Sequence, residues 1–234
     1  MTYRERQTIL DEPIANRGRS APRYAAGCAQ KPEALAELTR GARPQSYGRG
    51  ELLRDIGELH GFVYLLHAGR VGLYSLSHHG REIQLYTFHD GEMVGLLRHG
   101  EVSDTSSYAK VLVDATVAYR LSYQHILELM STSFPVSSYV CKLIMRQLGE
   151  SYRIIEALAF YEIKTRLART LVRLALCSEE LIVSAPHAEL AAMIGTRQEE
   201  VTKLLCHFRA LGLVASAPHR RGLRVLALER LASM

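Results

Sequence analysis

The chain has 234 residues, of which 47% are hydrophobic and 23% charged, enough apolar material for one large core or two smaller ones. Its 29 Lys and Arg against 24 Asp and Glu give a net charge of +5, which permits a polyanionic partner without demanding one. No apolar run approaches the ~20 residues of a membrane span, and the first twenty residues are charged throughout, with no apolar stretch of the kind a secretory signal needs.

The four cysteines, Cys28, Cys141, Cys177 and Cys206, lie far apart with no C-x-x-C pair, which argues for reduced thiols in the cytoplasm rather than a zinc or iron–sulfur site. No metal site is expected from the spacing. Residues 1–30 mix charges with Pro13, Gly18, Pro22 and Gly27 and read as a flexible N-terminal arm. A short helix from Pro32 to about Thr39 follows, with Pro32 suited to a first turn.

From about Gln45 to Leu121 short apolar runs alternate with turn residues. They are Phe62–Leu66, Arg70–Leu76, Glu82–Phe88, Tyr108–Val113 and Ala115–Leu121, each patterned as a half-buried strand. Gly69, Gly80 and Gly91 recur every eleven residues at the turns, where positive φ is often needed. The pattern predicts an antiparallel barrel or jelly roll over 31–124.

Beyond Phe134-Pro135 the period becomes helical. Val140, Ile144, Gln147, Ser151, Ile154 and Leu158 step by 4, 3, 4, 3 and 4, a heptad seam expected to pair with a second copy of the chain. A second stripe, Leu143, Leu148 and Ile155, is expected to pack back on the barrel. This dimerisation helix is placed at 125–158, ahead of a C-terminal domain at 159–234. The competing reading is an ordinary buried helix.

Residues 182–214 carry the functional signal. Ser184 is a candidate N-cap with Pro186 just inside, and a short helix over 186–194 ends at Gly195. A second helix runs from about Arg197 to Leu211, with Val201, Leu204, Leu205, Phe208 and Leu211 on one face and Arg197, Gln198, Glu199, Thr202 and Lys203 on the other. Two short helices joined at a glycine, the second polar near its start, form a helix-turn-helix with a recognition helix. Thr196, just ahead of that helix, is counted with these as a DNA-facing residue. Glu199 suits cytosine N4, Arg197 or Lys203 suits guanine, and Gln198 suits adenine. The following hairpin forms a wing whose Arg220 and Arg221 would reach phosphates.

The order of β barrel, long helix and winged helix-turn-helix resembles the cyclic-AMP receptor protein/FNR (Crp/Fnr) family of bacterial transcription regulators over about residues 45–230. The resemblance rests on Asp90-Gly-Glu-Met-Val-Gly95, on Ala157-Leu-Ala-Phe160, and above all on Glu189 to Leu205. It implies an α+β chain with a cyclic-nucleotide-binding-like jelly roll, and a sequence-specific homodimer on near-palindromic double-stranded DNA. Activators of the family also touch RNA polymerase. Where the family commonly carries R-E-T-V-x-R, this chain reads Gln198-Glu-Glu-Val-Thr-Lys203, so the resemblance implies that Glu199 reads a G·C pair while the half-site differs.

The effector side departs from the family. The resemblance places the pocket at Gly91, Glu92, Gly95, Leu96, Ser106, Ser107, Ser151 and Tyr152. Leu96 stands where cyclic-nucleotide binders carry a ribose-binding Glu, and Ser106-Ser107 where they carry the Arg-Ser phosphate clamp. Losing that guanidinium removes a bidentate, charge-assisted contact, which argues against cyclic AMP. The N-terminal cysteine cluster of the FNR type is also missing, which argues against a four-cysteine iron–sulfur cluster. Haem stays open, because one imidazole suffices as axial ligand and the region holds His60, His67, His78, His79, His89, His99 and His125.

Three readings compete: the effector-linked or effector-free DNA regulator, its haem-dependent gas- or redox-sensing variant, and a dimeric ligand-binding module acting through protein contacts. An enzyme is not expected. The chain has no H-x-H, G-x-S-x-G, P-loop or H-E-x-x-H, so no residue is assigned a catalytic role.

Overall fold

The computed structural model describes residues 32–54, 61–96, 107–178, 180–217 and 222–234. The arm over 1–30 with Cys28, together with His60, His99, Ser106, Arg220 and Arg221, lies outside these residues. No helix among them is long and apolar enough to cross a membrane.

A short helix α1 (Pro32–Leu38) leads into eight strands: β1 (Pro44–Tyr47), β2 (Leu52–Arg54), β3 (Phe62–Ala68), β4 (Val71–Leu76), β5 (Glu82–Phe88), β6 (Met93–Val94), β7 (Ser107–Val111) and β8 (Thr116–Ser122). They form two antiparallel sheets, ordered β1-β8-β3-β6 and β2-β7-β4-β5. Tyr64, Leu66 and Ala118 of the first sheet face Val71, Tyr86, Phe88, Ala109 and Val111 of the second, and these make the barrel core. The five expected strands are all present. β1, β2 and β6 were not expected, because β1 is an exposed edge strand and the other two are too short to show a period.

β3 corrects the half-buried reading of Phe62–Leu66, which is covered on both faces. Tyr64 and Leu66 point into the barrel, while Val63 and Leu65 point outward into a second core. A strand covered on both faces must be apolar on both. The turn glycines adopt the positive φ expected of them: +114° at Gly69, +72° at Gly80 and +78° at Gly91. At Gly69 a Cβ would also sit 2.8 Å from Thr116 Cα, so no other residue fits there.

The second core is closed by α1, by α2 (Tyr123–Thr132) and by α3 (Phe134–Phe160). The sequence suggested one helix from 125; the chain instead breaks at Ser133, whose Oγ accepts the Val136 N–H at 3.4 Å and caps α3, with Pro135 in the first turn. At 27 residues, α3 is about 40 Å long.

Burial corrects the first half of the expected seam on α3, while Ser151 and Leu158 of its second half remain exposed and Ile154 half-buried. Val140 and Gln147 are buried against their own barrel, the Gln147 amide donating to the Met93 carbonyl at 3.4 Å, and Ile144 packs at the edge of the same core. None of these three faces outward. Leu143 is buried as expected, but Leu148 and Ile155, assigned to the inner stripe, are 48% and 61% exposed. The outward stripe is Cys141, Met145, Leu148, Tyr152 and Ile155, with the 4, 3, 4, 3 spacing shifted by one residue. Two competing heptads one residue apart are hard to rank by hydrophobicity alone, and the polar Gln147 was the clue that it needed a hydrogen-bonding partner in its own chain.

The C-terminal domain comprises α4 (Ile163–Ala175), β9 (Ile182–Val183), α5 (His187–Ile194), α6 (Gln198–Ala210), β10 (Val214–Ser216), β11 (Leu223–Val225) and α7 (Leu228–Ala232). Leu167, Leu171, Leu190, Ile194, Val201, Leu205, Phe208 and Leu231 fill its core. The wing strands β10 and β11 pair, and β9 adds a third strand.

Candidate nucleic-acid interface

The helix-turn-helix is built around one glycine. α5 ends at Gly195, in the left-handed conformation with φ 66°, and its N–H bonds back to the Ala192 carbonyl while Thr196 N–H returns to Ala191. A Cβ at Gly195 would lie 3.1 Å from Leu158 of α3 and 3.2 Å from Ile83 of β5. The turn is therefore wedged between the barrel and the long helix, with Leu158, assigned to the dimer seam, beside it and still 43% exposed. Ser184 does not cap α5; Pro186 occupies that position and offers no side-chain acceptor.

α6 keeps Val201, Leu205 and Phe208 buried and leaves Arg197, Gln198, Glu199, Thr202 and Lys203 exposed on the other side. Its polar face is thus available to a groove, as the spacing predicted. Arg197 holds the N-cap position with extended φ of −95°. Lys203 lies 3.8 Å from Glu200 one turn earlier, a weak solvent-exposed pair. Thr196 is half-buried in the turn.

A contact missed from sequence joins the two helices at this face. His187 Nδ1 lies 3.0 Å from Thr202 Oγ1, and the Thr202 hydroxyl donates to the Gln198 carbonyl at 3.0 Å. Fifteen residues separate the pair, so no local pattern reveals it.

The helix-turn-helix is also docked on the sensor domain. Ala192 of α5 packs on Tyr74 and Tyr108, whose rings stack with centroids 5.4 Å apart. Lys110 Nζ sits 4.8 Å from the Tyr74 ring centre, and Tyr108 donates to Glu82. Burial, followed by the nearby carboxylates of Glu189 and Glu82, pushes the Tyr74 phenol well above its ordinary range. Both rings are therefore neutral at physiological pH and act here as packing surface.

The barrel turn at Gly91–Gly95 holds the second constellation. Glu92 is 1% exposed. Its carboxylate accepts Tyr86 Oη–H at 2.8 Å and the His89 N–H at 2.7 Å, and lies 3.3 Å from Arg146 Nε of α3. Burial raises the Glu92 carboxyl, against the lowering effects of these donors and of Arg146. Tyr139 of α3 donates to the Gly91 carbonyl, so this turn is fastened to the long helix at Arg146, Gln147 and Tyr139.

Of the other expected pocket residues, Ser107 is buried on β7 and Leu96 is buried in the core against the helices rather than lining a polar site. Ser151 lies one turn beyond Gln147 and donates to its carbonyl. Tyr152 falls on the outward stripe, 60% exposed. Glu92 was named in advance; Tyr86, Arg146 and His89 were not, since only the fold brings them to it. Among the histidines, His67 sits edge-on to Tyr119, and His78 and His79 are exposed in the β4–β5 turn. His125 is half-buried on α2.

Residues 44–133 match the cyclic nucleotide-binding domain family, and residues 165–234 match the Crp-like helix-turn-helix domain. Between them these matches span the barrel and the DNA-reading unit in the family's order. The chain belongs to the Crp/Fnr family. It is 29% identical over 185 residues to the cyclic AMP receptor protein of Thermus thermophilus, covering 78% of this chain and 84% of that protein. The crystal structure of a Crp-family transcriptional regulator from the same organism aligns with a TM-score of 0.68 at 26% identity, covering 81% of this chain and 97% of that one. A Crp/Fnr-family regulator from Eubacterium rectale shares the fold with a TM-score of 0.73 at 20% identity, over 91% and 96% of the two chains. This Crp/Fnr chain is thus a DNA-binding transcription regulator and not an enzyme.

Proposed function

We propose that the regulator works in the cytoplasm as a homodimer on a near-palindromic site, with its two α6 helices in successive major grooves about 34 Å apart. The observation that carries this reading is the outward stripe of α3. Met145 is 73% exposed, Tyr152 60% and Ile155 61%, and with Cys141 and Leu148 they repeat at heptad spacing. A helix that already has one apolar face satisfied by its own barrel and presents a second to solvent is half of a helix pair. Thr196, Arg197, Gln198, Glu199, Thr202 and Lys203 then face DNA, and Arg220 and Arg221, which follow β10 in sequence, are the candidate backbone contacts.

The barrel is the seat of regulation. The turn over 91–95 is fastened to α3 through Glu92–Arg146, so anything that moves this turn moves the helix whose pairing sets the spacing of the DNA heads. Cyclic AMP held by the family's usual clamp is not favoured. Serines stand at the clamp positions 106 and 107, Leu96 is committed to the core, and Arg146 is engaged by Glu92. The alternatives kept for the effector are a different small molecule, haem included, or none, and RNA polymerase is a further partner if the regulator activates.

Sedimentation and gel-shift titration test this reading together. The expected result is a dimer that retards duplex DNA, with log affinity falling linearly against log salt as phosphate contacts release counterions. A monomer, or retardation indifferent to salt, would contradict it.

A further inference from the structure

We infer that the outer face of the sheet β2-β7-β4-β5 orients the DNA-reading head, with Ala192, Tyr74 and Tyr108 as positioning residues for DNA recognition. This role rests on the proposed dimer, in which pairing of α3 sets how far apart the two heads stand and the sheet sets which way each one faces. The covalent joint cannot set that direction. Between the end of α3 at Phe160 and the start of α4 at Ile163 lie only Tyr161 and Glu162, both extended, with φ/ψ of −107°/134° and −60°/155°. Such a joint swivels about roughly four soft dihedrals, so the head is held by contacts elsewhere.

Two contacts hold it. α5 turns Leu190, Ala191 and Ile194 into the head's own core, yet Ala192, 4% exposed, belongs to the cluster with Tyr74 and Tyr108 instead. Three residues on, Gly195 meets Ile83 of β5 and Leu158 of α3. Two contacts on one body remove the rotation that either alone would allow. The platform is itself rigid. Tyr74 lies opposite Tyr108 in the β4–β7 register, and Gly72 opposite Lys110. A Cβ at Gly72 would sit 2.5 Å from the Tyr74 ring, so the glycine lets that ring lie over its own strand. Tyr108 is held by Glu82, and Lys110 Nζ lies 4.8 and 5.7 Å from the two ring centres. On β7 the alternate residues Ala109 and Val111 face the barrel core, so packed side chains back the platform. Docking leaves Arg197, Gln198, Glu199, Thr202 and Lys203 exposed: α5 is gripped while α6 stays free to enter a groove. A head that faces its groove only part of the time binds in proportion to that fraction, so two heads each docked a third of the time lose about tenfold in affinity.

The test titrates the full chain on a duplex selected by it, and on the same duplex with one base pair added or removed between the half-sites. Wild type should prefer the selected spacing by at least the cost of one mismatched base pair, about tenfold, because its heads cannot turn to follow a shifted groove. Ala192→Glu puts a charge against two buried phenol rings and beside Glu82 and Glu189, which favours the undocked head; there the new side chain is in water and the head's own core is untouched. It should bind the selected duplex about tenfold more weakly and lose its preference among the three spacings. Ala192→Ser, still small, should keep both. Tyr108→Ala, on the sensor side, should match Ala192→Glu, and the two together should be no worse than either, because they break one contact. The chain has no tryptophan, so Tyr108→Trp gives docking its own signal, and its emission should shift to the red when Ala192→Glu is added. Unchanged binding by Ala192→Glu, equal weakening on all three duplexes, tighter binding, or an emission that does not move would overturn the inference. So would a wild type that holds two protomers per duplex yet binds all three spacings equally. A wild type bound as one protomer, or to no duplex, would overturn the dimer reading and this role with it.

Discussion

The two faces of α3 are written in the same kinds of residue yet meet opposite surroundings. Inward, Val136, Tyr139, Val140, Leu143 and Gln147 are each 5% exposed or less; outward, Met145, Leu148, Tyr152 and Ile155 stand 48% to 73% in solvent. The inner face is fixed by the chain itself, through the barrel core and the polar ties of Tyr139, Arg146 and Gln147 to the turn over 91–95. The outer face has the apolar content and heptad spacing of a contact that one protomer cannot complete. In the proposed dimer one helix belongs both to the fold and to the assembly, and damage to each face should be separable.

Leu143→Ala should produce the largest effect, since a leucine 1% exposed leaves a cavity, and losses of about 2–5 kcal/mol are typical. Denaturant unfolding of the monomeric unit would register it, whereas Met145→Ala on the outer face should leave the unfolding midpoint of that unit nearly unchanged. Tyr152→Glu should do the reverse: a charge in the helix seam should weaken dimerisation by about thirtyfold or more, the scale of a hot-spot residue, with the monomeric fold intact. Sedimentation equilibrium checks this, and equal loss of fold would contradict the division of labour between the faces.

A smaller effect concerns the tie between the turn and the helix. Burial raises the Glu92 carboxyl above its ordinary 4.5, so the folded state holds that proton more tightly than the unfolded one. The contribution is full below pH 4.5 and is lost as pH rises through the raised value. His89 works in the opposite sense. Burial first, then Arg146 and Arg70, holds its imidazole below 6.5, so its contribution is present above pH 6.5 and is lost as pH falls through the lowered value. Glu92→Gln should remove the first dependence and keep the second, so its stability should no longer decline as pH rises from 4.5. Unfolding curves across pH for the two proteins decide this.

Much of the fold was legible because its signals are local. Glu82–Phe88 shows its strand by alternation, Gly69, Gly80 and Gly91 mark their turns by residue type, and Gly195 with the apolar spacing of Val201, Leu205 and Phe208 declares the helix-turn-helix. β1 and β6 were hidden because their pairing, to β8 and β3, comes from distant residues and not from any pattern of their own. The orientation of α3 was misjudged because both stripes satisfy a heptad, and only the barrel's position tells which is inner. The exposed residues of α6 were named in advance, since an amphipathic helix displays its polar face in the sequence. The His187–Thr202 bond and the Glu92–Arg146 pair span fifteen and fifty-four positions, and long-range polar contacts leave no mark on local composition.

The most direct test of the central claim is native mass spectrometry of the full chain mixed with a duplex selected by it. Two protomers of 26.2 kDa on one duplex, falling to one or none for Tyr152→Glu, is the predicted result. A wild-type complex holding a single protomer, or a Tyr152→Glu complex that still holds two, would contradict a regulator whose DNA heads are spaced by the outer face of α3.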